Sequence, residues 1–144
     1  MTIDMEPARV VVVDDAEDLR AMIGRALDRE DDFEVVGQAG DGQEAVEVAE
    51  RLQPDVVLLD IAMPVMDGLQ ALPHLRKKSP ASVLVVLSGF GSDSRAAQKA
   101  LELGAHGFLN KGETQGRLVE RLRVIVGSYR ARATMGNPRH PLRS

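Results

Sequence analysis

Cysteine is absent from the 144 residues, which excludes a disulfide framework and with it the usual mark of a small secreted scaffold. The chain opens with no charged-then-apolar leader, and no apolar run approaches the roughly 20 residues that a bilayer requires. Export and membrane spanning are therefore not indicated, and a cytoplasmic protein is expected. An excess of positive charge is also missing. Lysine and arginine number 18 against 22 aspartates and glutamates, a formal charge of −4, which argues against a general nucleic-acid binder. The three histidines, His74, His106 and His140, stand far from metal-ligand spacing and read as surface residues. There is no internal repeat and no glycine-rich phosphate loop after the first apolar run.

What remains is a length suited to one domain, able to bury roughly two-thirds of its unfolded surface. The sequence divides into an N-terminal extension (1–7), a domain over 8–127, and a locally basic end, "SYRARATMGNPRHPLRS" (128–144), that reads as a flexible solvated tail. Within the domain, "VVVV" (10–13), "VVLL" (56–59) and "VLVVL" (83–87) are continuous rather than alternating, as in strands covered on both faces. "FEVVGQA" and "HGFLN" read as two weaker strands. Between them, Leu19, Met22, Ile23, Ala26 and Leu27 recur at helical spacing, as do Ala45, Val48, Ala49 and Leu52, then Leu118, Leu122 and Ile125. Pro54 and Pro80 precede strands, "GDG" (40–42) precedes the second helix, and Gly104 follows the fourth. Pro73 falls inside the third helix, where it should remove a backbone bond or delay the helix start.

Five β-α units of this kind predict an α/β three-layer sandwich: a doubly wound parallel sheet with strand order 2-1-3-4-5. Ligands in such sheets sit beyond the carboxyl ends of the strands, beside the point where the order reverses. The first strand ends "VVVDD", the third "VVLLD", the fourth "VVLSG" and the fifth "GFLNK". Asp14, Asp15, Asp60, Ser88 and Lys111 should therefore converge at one rim. Singly, each has an ordinary reading: an aspartate capping the next helix, a serine ordering a turn, a solvated lysine. Asp60 resists it, because the helix after it begins only around Gly68.

Three close carboxylates repel by about 4 kcal/mol per pair at an effective dielectric near 20, more than one lysine offsets. An all-oxygen cluster suits a hard divalent cation such as Mg²⁺, which binds through one or two carboxylates, waters and a phosphoryl oxygen. One carboxylate can then act as nucleophile toward phosphorus, with the product an aspartyl phosphate.

The series "VVVVDD", "DVVLLDIAMPVMDG", "VVLSG" and "GAHGFLNKG", in this order and spacing, resembles the CheY-like receiver domain of two-component response regulators over roughly residues 8–127. The resemblance implies that Asp60 is the phosphoacceptor, taking its phosphoryl group from a histidine kinase or phosphotransfer protein. It implies that Asp15 binds Mg²⁺ directly, Asp14 mainly through water, and Ala62 through its backbone carbonyl. Ser88 and Lys111 match the pair that contacts the phosphoryl group, and Ser88 with Phe108 matches the switch pair, in which the ring turns inward. Phe108 is expected in the core. The implied output is a changed surface on the fourth helix, fifth strand and fifth helix, which meets a downstream protein or a second copy of the chain. The fourth helix, rich in alanine, suits a segment able to shift.

Four departures from the commonest pattern carry expectations of their own. Ser88 replaces threonine and keeps the donor. Phe108 replaces tyrosine, so packing alone must favour its inward position. Gly112 stands where proline is common, which removes the usual reason for a cis bond after Lys111. Ala62 and Phe90 flank the place of a hydrolytic water without a polar group to orient it, so slow loss of the phosphoryl group is expected. The alternatives are a phosphorylation-independent interaction module on the same fold and a Mg²⁺-dependent aspartyl-phosphate phosphatase. The latter resembles haloacid dehalogenases and would call for D-x-D after the first strand, where "DDAED" stands. No output segment follows residue 127, so the chain reads as a stand-alone receiver or the receiver part of a longer regulator.

Overall fold

The computed structural model describes residues 6–89 and 94–134. Strands and helices alternate: β1 Ala8–Val13, α1 Glu17–Asp28, β2 Phe33–Ala39, α2 Gly42–Leu52, β3 Val56–Asp60, α3 Gly68–Lys78, β4 Val83–Ser88, α4 Ser94–Glu102, β5 Gly107–Asn110 and α5 Gln115–Thr134. The strands form one parallel sheet in the order β2-β1-β3-β4-β5, as the sequence predicts.

The continuous aliphatic runs follow from the layering. Successive strand residues point to opposite faces. Val10, Val12, Leu58, Val85 and Leu87 therefore pack with Ile23 and Leu27 of α1 and Leu118 and Leu122 of α5. Val11, Val13, Val57, Leu59, Leu84 and Val86 pack on the other face, with Ala45 and Val48 of α2, Leu72 and Leu75 of α3, and Ala100 of α4. Both faces are dry, so neither strand parity can be polar. Each fully buried valine or leucine contributes about 1.5–3 kcal/mol.

Local signals fix the helix starts. Asp67 and Gln70 form a reciprocal capping box on α3, with bonds of 2.8 and 3.0 Å. The helix thus begins at Gly68 as expected, and Pro73 neither delays nor ends it. Its ring nitrogen simply gives the Leu69 carbonyl no N–H. Asp41 caps α2 by accepting from Glu44 N–H at 2.8 Å.

Three expectations are corrected. Phe108 is 37 % exposed rather than core: β5 is a four-residue edge strand in which Leu109 alone is buried, unlike the central runs. The stretch from 128, expected to be flexible tail, is helical as far as Thr134, where α5 ends, and Arg130 within it donates to the Glu6 carbonyl at 3.3 Å; the rest of the basic tail, 135–144, lies outside the described residues. His106 is not a surface residue in the ordinary sense. Its Nδ1 accepts from Leu84 N–H at 2.9 Å, its Nε2 lies 3.3 Å from Arg76, and its ring meets Tyr129 of α5 edge-on at 4.7 Å.

Candidate phosphoacceptor site

The carboxyl ends of β1, β3, β4 and β5 bring the expected residues to one rim. Asp14 is fully buried, Asp60 and Ser88 nearly so, and Asp15 is exposed. One carboxylate oxygen from each of Asp14, Asp15 and Asp60 lies within 4.8 Å of the others. Lys111 Nζ sits between the two buried acids, 3.1 Å from Asp14 Oδ2 and 3.0 Å from Asp60 Oδ2. Neither Asp14 nor Asp15 caps α1. Its N-cap is Ala16, without a side-chain bond, and Asp14 Oδ1 instead accepts from Ala16 N–H at 2.9 Å.

Burial is the main influence on Asp60 and raises its carboxyl above the ordinary range. The Lys111 hydrogen bond opposes that rise, and the charge of Asp14 adds to it. Lys111 is raised as well. Burial pulls it down, but its bonds to Asp60 and Asp14 more than reverse this. Lys111 thus faces two buried carboxyl groups at once, with Asp15 a third acid close by. Asp14 Oδ2 shows the imbalance directly: it is buried, and the Lys111 ammonium 3.1 Å away is shared with Asp60 Oδ2. A buried carboxylate oxygen left in this state is costly. The all-oxygen donor set and the single ammonium shared between two buried acids fit a hard cation, and the cluster is one that could hold a metal.

The other predicted residues take their places around it. Ala62 N–H donates to Asp60 Oδ1 at 3.3 Å, and its side chain is exposed. Ser88 Oγ donates to the Leu109 carbonyl at a long 3.5 Å, while Lys111 N–H donates to the Ser88 carbonyl at 2.9 Å. Gly112 N–H is held by Asn110 Oδ1 at 2.7 Å, and no cis peptide occurs among the described residues. Phe90 lies outside the described residues. One contributor was not singled out from sequence. Arg20 reaches back from α1 to donate to the Asp14 carbonyl at 2.7 Å and to Gln38 Oε1 at 3.1 Å, bracing the ends of β1 and β2. A lone arginine on a surface helix carries no spacing signal that would reveal this.

Comparison with known proteins agrees with this geometry. Residues 10–123 match the profile of the response regulator receiver domain, and the chain belongs to that family. It is 38 % identical over 135 residues to a protein-glutamate methylesterase/protein-glutamine glutaminase of Syntrophomonas wolfei, covering 88 % of this chain and 38 % of that protein. The chain thus spans about two-fifths of that relative's length. Among solved structures it is similar to the receiver domain of the response regulator NarL from Mycobacterium tuberculosis. There the TM-score is 0.79 at 35 % identity, over 85 % of this chain and 98 % of that one. It is also similar to the CheX–CheY–BeF3–Mg²⁺ complex of Borrelia burgdorferi, with a TM-score of 0.75 at 26 % identity, covering 83 % and 89 %. The acidic pocket is that of a receiver that accepts phosphorylation in two-component signalling, a role that implies a kinase or phosphotransfer protein on one side and an effector on the other. Among the described residues no helix is long and apolar enough to cross a membrane.

Proposed function

We propose that Asp60 is the residue phosphorylated, that Asp14, Asp15, Asp60 and the Ala62 carbonyl hold Mg²⁺, and that the donor is a phosphohistidine of a kinase or phosphotransfer protein. The observation that carries this reading is the overloaded cage: three acids, with one ammonium shared between the two that are buried. The Borrelia neighbour, solved as a complex with BeF3 and Mg²⁺, supports the choice of metal. Bound Mg²⁺ supplies positive charge toward the phosphoryl oxygens. A bond forms from an Asp60 carboxylate oxygen to phosphorus as the P–N bond to the donor imidazole breaks, and Lys111 and Ser88 take up charge on the equatorial oxygens.

The switch follows from Ser88 and Phe108. The 3.5 Å bond from Ser88 to Leu109 is weak, so little opposes the hydroxyl when it turns to a phosphoryl oxygen. Phe108, outward here, then fills the space vacated. Complete reversal from 1:99 to 99:1 takes about 5.5 kcal/mol of differential interaction, which new bonds from Ser88 and Lys111 supply in large part. The surface read by the downstream protein, or by a second copy, lies on α4, β5 and α5, where Leu101, Phe108 and Val124 are exposed.

Acetyl phosphate with Mg²⁺ tests the assignment. One labile phosphoryl group per chain is expected, and none after Asp60→Asn; steady turnover would indicate a phosphatase, and no uptake a pure interaction module. Loss of the group is slow, because exposed Ala62 offers no side-chain polar atom to a hydrolytic water. Ala62→Asn accelerates the decay of the phosphorylated chain; an unchanged rate would remove that explanation.

A further inference from the structure

The loop from Ile61 to Asp67, which follows Asp60 and carries Ala62, is gripped by two helix starts. Gly42 is the first residue of α2 and donates its N–H to the Met66 carbonyl at 2.8 Å. Gly68 is the first residue of α3 and donates to the Ile61 carbonyl at 2.8 Å. These N–H groups belong to the orphan donors of a helix first turn, and here each is spent on a carbonyl of the same loop. Glycine is required at both places. A Cβ on Gly42 would overlap the Met66 carbonyl oxygen and come within 2.9 Å of its carbon, and a Cβ on Gly68 would overlap the Asp60 carbonyl. Both obstacles are backbone and cannot swing aside.

Between the two grips the loop is strained. Val65 has φ +67° and is 76 % exposed. Met66 N–H donates to the Pro64 carbonyl at 2.7 Å, so Val65 is the central residue of a γ-turn of the rare positive-φ kind. A β-branched side chain is poorly suited to it. Strain of this sort persists only where the surroundings over-determine it, and no packing of the exposed Val65 side chain does so.

We propose that Gly42 is a positioning residue for the acceptor site: its grip on Met66 holds the strained loop shut and thereby sets how well the acid cage binds its cation. The proposal rests on the functional reading above and extends it to α2, an element that contributes no side chain to the cage. Without the grip, Val65 leaves the γ-turn, and the segment bearing Asp60 and Ala62 loses its fixed aim at the ion. Supporting groups behind metal ligands commonly matter by ten- to a hundredfold in affinity.

The test titrates the full chain with Mg²⁺ alone, following amide NMR shifts. Gly42→Ala is expected to weaken binding by about tenfold, while Ser82→Ala, a destabilising change at the opposite end of the sheet, keeps the unmodified affinity. Should Gly42→Ala not fold, hydrogen exchange in the unmodified chain decides. Coupling is reciprocal, so Mg²⁺ slows exchange of the Gly42 amide. Equal affinity in Gly42→Ala, or a Gly42 amide indifferent to Mg²⁺, overturns the grip. Absence of Mg²⁺ binding in the unmodified chain instead overturns the cage on which it rests.

Discussion

At the amino-terminal ends of the strands, Ser82 Oγ donates to the Pro54 carbonyl and pairs with Ser79 Oγ, both at 2.6 Å. Asp55 accepts from Arg9 N–H at 2.8 Å, and Gln53 reaches the Lys78 carbonyl at 2.9 Å. At the carboxyl ends, the sheet finishes on three acids and one lysine, whose ammonium is shared between Asp14 and Asp60. Both rims bury polar groups, but at the second two acids share one cation. The difference separates what holds the sheet from what the sheet holds: a rim with closed bonds adds stability, whereas one left in deficit stays ready for an ion and a phosphoryl group.

The strongest way to break this comparison is Asp60→Asn. Phosphoryl uptake from acetyl phosphate should vanish, yet without Mg²⁺ the fold should become more stable, by about 1 kcal/mol or a few degrees in Tm, because a like charge leaves the cage. Since the Asp60 carboxyl is raised, the folded chain binds its proton more readily than the unfolded one. Stability at this site is therefore present at low pH and lost as pH climbs from the ordinary carboxylate range through the folded value. Asp60→Asn should flatten that part of the profile. A lowered Tm in the variant would mean that the acids are already compensated.

Mg²⁺ should stabilise the unmodified chain by relieving the same repulsion. At a hundred times its dissociation constant it adds about 2.7 kcal/mol, read as a rise in the denaturation midpoint that Asp60→Asn diminishes. Ser82→Ala sharpens the other half. Removing this hydroxyl leaves Ser79 Oγ and the Pro54 carbonyl buried without it, at a cost of about 1–3 kcal/mol, with the rate of phosphoryl uptake unchanged. A loss of uptake would show that the two rims are coupled.

The smallest effect concerns His106. Burial, and then the charge of Arg76, lower its pKa. Nδ1 accepts from Leu84 N–H, which leaves the neutral ring's one proton on Nε2, 3.3 Å from the Arg76 guanidinium; a second proton, on Nδ1, would break the Leu84 bond beside a fixed positive charge. The folded chain binds that proton less readily than the unfolded one. Stability is thus lost as pH falls from about 6.5 toward the depressed folded value. Denaturation midpoints of His106→Gln should fall less over this window than those of the unmodified chain.

These results indicate where the sequence was informative. The sheet was legible because "VVVV", "VVLL" and "VLVVL" are apolar at both parities, which only a strand covered twice requires, and convergence of Asp14, Asp15, Asp60, Ser88 and Lys111 follows from parallel strands ending on one side. Phe108 misled because β5 is short and at the edge, so a run of apolar letters there is not buried on both faces. The extent of α5 was hidden by the basic composition from residue 128, which reads as a solvated tail; Tyr129 meets His106 and Arg130 meets the Glu6 carbonyl, partners remote in the chain. His106, Arg20 and Gly42 owe their roles to partners distant in the chain, and no local pattern encodes such partners.

Lys111 stands between acids that precede it by 97 and 51 residues. A nascent chain still short of its last strand therefore has carboxylates but no ammonium between them. Only synthesis past β5 completes the charge pattern of the rim, so this part of the molecule is the last to be balanced.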